Sequence, residues 1–423
     1  MRSIVVLGSL FLLQCGPQPA ADGATESDAS GTGSTSVGGA TDAADDAGSA
    51  TGTGDDGPAS LSGGPDTGPG DPPDDPSDTA VDTGLDTETG GAVGPPACPG
   101  ARWLATVPVA GDPSAAAVDS RGHVLTLDLA ADSWDVREFD ATGMLVNTVA
   151  VGDGAAQLAW GGVDAADSWY VGLRQGAGLP TRVVRKFAVG GVMAWERDLG
   201  PAANEEAFLP ALAVAPDGAT VVTEWWFDDD DHTRLVKHDA AGVLVWDKQG
   251  PPLLQVLDMN VQGAMAAVRF NDFGGEVRGL GSDAATLWTQ DRWILDAHWA
   301  AIDPAGSVLL GAPTVQLHIG ATHYAPDGTI LWDHEVTPTG SNNDSFDDFA
   351  VNAAGEMAIS SRADEWGVVY VAKLDAAGEL VAVHPCTPSF SGTRVAIDDA
   401  GAVYLIGGGF DGSSSLQFVA AFD

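Results

Sequence analysis

The chain has 423 residues, with 18 Lys+Arg against 60 Asp+Glu, a net charge of -42, 55 Gly and only 3 Cys. Eighteen basic residues cannot build a nucleic-acid footprint, and three cysteines cannot staple a disulfide-rich scaffold. The acids and the 13 Trp are unevenly placed along the chain, so the average composition conceals distinct segments.

The first segment, residues 1–14, reads as a signal peptide: Met1-Arg2-Ser3, then the apolar run Ile4 to Leu13. That run is about half the ~20 residues needed to span a bilayer. It is followed by Leu12-Leu13-Gln14-Cys15-Gly16, which resembles the lipobox of bacterial lipoproteins and departs from it at Gln14. The resemblance implies cleavage before Cys15, acylation of Cys15 with chains such as palmitate, and lipid anchoring at the outer membrane or cell surface. No Asp follows the cysteine, which by the same resemblance favours the outer membrane. An ordinary secretory leader with an incidental Cys15 is the alternative.

Residues 15–97 form the second segment. From Gly16 to Ala97 there is no Phe, Trp, Tyr, Lys or Arg, and there are 16 acids. Such a stretch cannot bury enough apolar surface to offset its chain entropy, so a disordered, acidic Gly/Ser/Thr/Asp/Pro tether is expected. The acids between Asp71 and Glu88 lack the loop pattern of an EF-hand.

Residues 98–423 hold every Trp and Tyr and all basic residues except Arg2. One phrase recurs there: an apolar strand, a tight turn with Asp and Gly, and a second apolar strand. It stands at Ala117–Val124, Ala213–Thr220, Ala301–Val308, Ala350–Met357 and Ala396–Val403, with a degenerate copy at Val163–Tyr170. A second phrase alternates with it at Phe139–Met144, Phe187–Val192, His238–Val243, Ser282–Leu287, Tyr324–Thr329 and Leu374–Glu379. Trp195, Trp246, Trp288 and Trp332 follow four of these copies.

Each phrase is a hairpin, because Asp accepts turn N–H groups and Gly supplies positive φ. Two hairpins make a four-stranded unit, and a period of about 46 residues is that of a β-propeller. The fold class is therefore all-β, a propeller of about seven four-stranded blades, with the fourth (around Leu257 to Thr289) the poorest match. The segment Pro99–Val107 reads like Thr142–Val149 and should complete the last blade as a clasp. The recurrent Trp are expected to wedge between blades.

This region resembles secreted bacterial propeller-repeat proteins and quinoprotein-like propellers, a resemblance that specifies a blade and carries over no catalytic residue. Cys98 and Cys386, the two cysteines of the exported domain, flank the expected closure and are a candidate disulfide. The eight His occur singly, and no metal site or catalytic residue is assigned. The acidic stretches Asp228–His232 and Asn342–Asp348 read as solvated loops, with Ca²⁺ the weaker alternative.

The favoured function is a membrane-anchored lipoprotein whose propeller binds a protein, peptide or glycan, and not nucleic acid. The alternative is an extracellular propeller enzyme, a carbohydrate-active hydrolase or lyase, with its site at the central channel.

Overall fold

The computed structural model describes residues 3–5 and 96–423, apart from 109–112, 131, 177–179, 202–206, 228–230, 272–273, 293–298, 314–318, 339–344, 363–367, 388–390 and 411–414. Cys15 and tether residues 16–95 lie outside the described residues. Among the described residues no helix is long and apolar enough to cross a membrane.

Among the described residues strands alone build the domain: seven antiparallel sheets with four strands each in blade order, one of them joined by a fifth, short strand. The innermost strands are Pro113–Val118, Gln157–Val163, Phe208–Val214, Leu254–Met259, Trp299–Ile302, Ser345–Asn352 and Ser391–Ile397. The outermost are Leu145–Asp153, Met193–Pro201, Leu244–Gly250, Thr286–Arg292, Ile330–Val336 and Leu380–Cys386. Trp103–Pro108 is the seventh. This last strand pairs antiparallel with Ser415–Phe422, Trp103 opposite Ala421 and Pro108 opposite Leu416. The N-terminal strand thus completes blade seven and closes the ring, as the sequence predicts. Ser3–Val5 forms a short strand along the inner strand of blade six, Ile4 opposite Val351. The leader reading would remove that run on maturation.

The fourth blade is regular: Leu254–Met259, Met265–Asn271, Gly274–Leu280 and Thr286–Arg292 pair in order. Its first hairpin escapes the sequence phrase because Asp258-Met259 stand where the other full copies have Ala followed by Val or Ile; its turn residue, Asn260, matches Asn352 of blade six. The Asn260 Oδ1 accepts the N–H groups of Gln262 and Ala264, as an Asp would. In two other degenerate copies a non-glycine residue adopts the positive φ: Asp167 (57°) and Ala284 (64°).

Apolar faces of neighbouring blades pack against each other. Val118, Val124 and Phe139 of blade one meet Ala396, Tyr404, Ile406 and Val419 of blade seven, all buried. The inner strands are rich in fully buried alanine, including Ala116, Ala117, Ala300, Ala301, Ala350 and Ala396. Blades converge toward the axis, and only small side chains fit between them there.

The tryptophans act as wedges, as expected. Trp195 Nε1 donates to the Ala240 carbonyl of the next blade (3.4 Å), and Trp246 Nε1 donates to that of Ser282 (3.1 Å). Trp103 does the same from the clasp, donating to Ala141 at 3.0 Å. Trp288 and Trp332 lie on Gly328 and Gly378, where an added Cβ would meet the indole at 2.8 Å and 3.1 Å. One blade's outer strand is thereby keyed to the next blade's outer turn.

Candidate functional site

Antiparallel order puts both kinds of tight turn on one face of the disc. Six of the seven inner turns begin with Asp or Asn: Asp119, Asp164, Asn260, Asp303, Asn352 and Asp398. These side chains accept main-chain N–H groups of their own turns, for example Asp164 from Ala166 and Ser168 and Asp398 from Ala400 and Ala402. Bonds also run from turn to turn around the channel mouth. Ser120 donates through N and Oγ to Asp167 (2.8 and 2.9 Å), and Ala165 N donates to the Pro216 carbonyl. Asn260 and Asn352 donate through Nδ2 to the carbonyls of Asp303 and Asp398.

Where blades seven, one and two meet on this face, a cavity of about 300 Å³ is lined by Asp119, Ser120, Asp164, Asp167, Asp398 and Asp399. Tyr170 and Tyr404 occupy equivalent positions beneath it, each donating its hydroxyl to the turn carboxylate, Asp164 at 2.7 Å and Asp398 at 2.9 Å. Lys186 adds an ion pair to Asp164 at 2.9 Å.

Beside the cavity, Asp119, His123 and Glu138 bring their ligand atoms within 4.8 Å of one another, a spacing that could hold a metal ion. Arg121 sits in their midst. Its guanidinium bonds Asp119 Oδ2 through both Nε and Nη2, and Glu138 Oε1 at 2.8 Å, while His123 Nδ1 lies 2.8 Å from the same Glu138 oxygen. Burial pulls the Arg121 pKa down, but Asp119 and Glu138 more than reverse this and hold it above its usual value. The guanidinium neutralises these carboxylates where a divalent cation would otherwise sit.

Deeper in the disc, buried ionic groups join blades. Asp128 accepts from Gln417 Nε2 of blade seven and from Arg137 (3.2 Å). Glu224 pairs with Arg182 of the preceding blade and with Arg234 at 3.3 Å. Asp258 Oδ2 accepts the N–H of Ile302, and Asp348 Oδ2 that of Val395, so each ties its inner strand to the next. Asp347 accepts from Thr393 Oγ1 (2.7 Å) and Arg362 Nε (2.9 Å).

These contacts correct one expectation. The stretch Asn342–Asp348 is not a solvated loop throughout, because Ser345–Asn352 is the inner strand of blade six and Asp347 and Asp348 are buried. Acid density in sequence suggested solvent; an interface with Arg362, Arg394 and Thr393 supplies partners instead. Residues 342–344 and 228–230 lie outside the described residues. Next to the latter, Trp225 is half-buried between Phe208 and Phe270, and Trp226 stacks on His232.

Burial pushes the Asp128 carboxyl up to about 7, against the pull of Arg137, and pushes Asp348 up to about 7, against that of Arg394. A carboxyl that titrates higher folded than unfolded binds extra protons in the native state between about pH 4 and 7. Its contribution to stability therefore falls as pH rises through that window and is flat above it. The urea midpoint of the wild type should drop from pH 5 to pH 8 by more than that of an Asp128→Asn variant; equal drops would show that Asp128 does not titrate there.

Cys98 and Cys386 are brought together at the closure, Cα atoms 4.2 Å apart, beside a two-way main-chain bridge between Ala97 and Thr387. Of the His, His318 and His298 lie outside the described residues. His238, His323 and His384 are held below the usual imidazole range by burial.

No protein-family model and no curated protein sequence matches the chain. Among solved structures it is similar to a chain in the crystal structure of the mitotic checkpoint complex. The two are 12% identical, with 76% of this chain and 95% of that one covered at a TM-score of 0.50. It is also similar to the WD40 domain from Toxoplasma gondii coronin, 8% identical, with 78% and 89% covered at a TM-score of 0.44. The likeness to the first is one of fold.

Proposed function

We propose that the chain is a lipoprotein of the bacterial outer membrane or cell surface. In this reading it is anchored through acylated Cys15, extended by the tether of residues 15–97, and closed by a Cys98–Cys386 disulfide. Its propeller, of the secreted propeller-repeat type, serves as a module that binds a protein, peptide or glycan.

The observation that supports binding is an aliphatic rim on the turn face. Each of the seven outer strands exposes at least one large aliphatic at its start: Leu104, Leu145, Met193, Leu244, Leu287, Ile330 and Leu380. Such a band on an exported domain is where a partner can bury surface. A chain of like fold comes from a complex, which accords with this role. The enzyme reading draws on the 300 Å³ cavity and its carboxylates. Those carboxylates are already engaged by turn amides, tyrosine hydroxyls and Lys186, so the binding reading fits better.

Replacing Cys15 by Ala should abolish incorporation of labelled fatty acid and release the chain from the membrane fraction. A variant that still takes label or still sediments with membranes would defeat the anchoring reading. Pull-down from intact cells with the full chain, followed by mass spectrometry, would name the partner.

A further inference from the structure

Resting on the binding-module reading, we infer that the rim of blades four to six is the docking surface, and that its occupant is a partner-protein segment rich in aliphatic and Lys or Arg side chains. The aliphatics there are Leu287, Ile330, Leu331, Leu380 and Val381, between 45% and 62% exposed. They form one band because Trp288 rests on Gly328 and Trp332 on Gly378, which brings the start of each outer strand against the outer turn of the next blade.

Charge selects the occupant. The three turn-and-strand segments that carry this band, 281–292, 325–336 and 375–386, contain seven carboxylates and one basic residue. That residue, Arg292, is paired with Asp333 at 3.0 Å. Asp283, Asp327, Asp375 and Glu379 flank the aliphatics. The rim of blades one to three has similar aliphatics but a different charge pattern. The corresponding segments there, 140–151, 188–199 and 239–250, contain five carboxylates and two basic residues, Arg197 and Lys248, so they are less acidic.

An anionic membrane surface is repelled at blades four to six, and an uncharged apolar partner would desolvate the carboxylates without pairing them. A cationic aliphatic segment satisfies both parts of the surface, and the net negative charge of the domain steers it inward. The outer strands are also sheet edges, whose outward main-chain groups can pair with an extended segment.

The test uses the purified full-length chain and three fluorescent peptides: one alternating Lys and Leu, one Lys and Ser, one Glu and Leu. Anisotropy should show the Lys-Leu peptide binding about ten-fold tighter than either other, a difference of about 1.4 kcal/mol, and weakening toward roughly 0.5 M salt. The combined change Leu287→Ser, Leu331→Ser and Val381→Ser should cost about ten-fold in that affinity. The control change Val146→Ser, Val192→Ser and Val245→Ser, at exposed positions of blades one to three, should leave it unaltered; circular dichroism checks that both variants fold.

Equal loss in the two variants, equal binding of the Lys-Ser peptide, or phosphatidylcholine vesicles captured through the same residues would overturn the proposal. A partner retrieved from cells whose binding survives the blade four-to-six change would overturn it while leaving the binding-module reading intact.

Discussion

Trp288→Ala should be among the most damaging single truncations of the disc, lowering stability by about 3–5 kcal/mol. Trp288 is 9% exposed, stacks on Tyr324 with ring centroids 5.5 Å apart, and covers Gly279 of its own blade and Gly328 of the next. Removing the indole leaves a void at a blade junction that strands fixed by their ladders cannot collapse to fill. Trp246, the wedge of the preceding blade, donates to the Ser282 carbonyl but is only partly buried, so its truncation should cost less. The wedge can also be tested from the other side. Gly328 has φ +84°, and a Cβ there would stand 2.8 Å from the indole, so Gly328→Ala should cost about 1–3 kcal/mol. Urea unfolding followed by tryptophan fluorescence and far-ultraviolet circular dichroism measures both changes; a Trp288→Ala chain within about 1 kcal/mol of the wild type would dismiss the wedge as a source of stability.

Loss of the proposed Cys98–Cys386 bond is the second large effect. The two residues are 288 apart in sequence, so a crosslink between them would remove much of the unfolded chain's freedom, by about 5 kcal/mol in the loop-entropy account. The clasp is also held by the Trp103–Pro108 ladder, by Arg102 N on the Ala421 carbonyl, and by Trp103 on blade one, so the ring should remain closed without the bond. The expected result is a folded Cys98→Ser, Cys386→Ser chain with an unfolding midpoint lowered by the equivalent of about 2–5 kcal/mol, and faster protease cleavage near residue 100. Two free thiols titrated in denaturant without reductant would remove the premise.

The blade was legible because its turns are local chemistry. Asp or Asn at the turn start accepts N–H groups two and four residues on, and Gly takes the positive φ, so Asp119 to Gly122 and Asp398 to Gly401 announce hairpins wherever they fall. Blade four was fainter since Asp258-Met259 replace the Ala-Val or Ala-Ile of the phrase and Ala284 takes the positive φ in place of Gly. The wedge role of the Trp was legible from their fixed distance after the turn, and the clasp from a strand missing at one end and spare at the other. The site was less legible. Asp347 and Asp348 looked like a loop because sequence shows neither Arg362 folded back on them nor blade seven beside them. Asp119, His123 and Glu138 showed no ligand spacing, and only the ladder between two strands brings them round Arg121.

By itself the sequence determined most of the hairpins and the segregation of acids without bases into residues 16–97, because each depends on residues within a few positions or on composition. Only the tertiary structure decided which buried charges meet, as with Asp128 and Gln417, 289 residues apart, and which aliphatics stay in water. Ring closure sets those distances. It packs the faces of neighbouring blades together and, among the described residues, leaves every outer strand at the edge of its sheet.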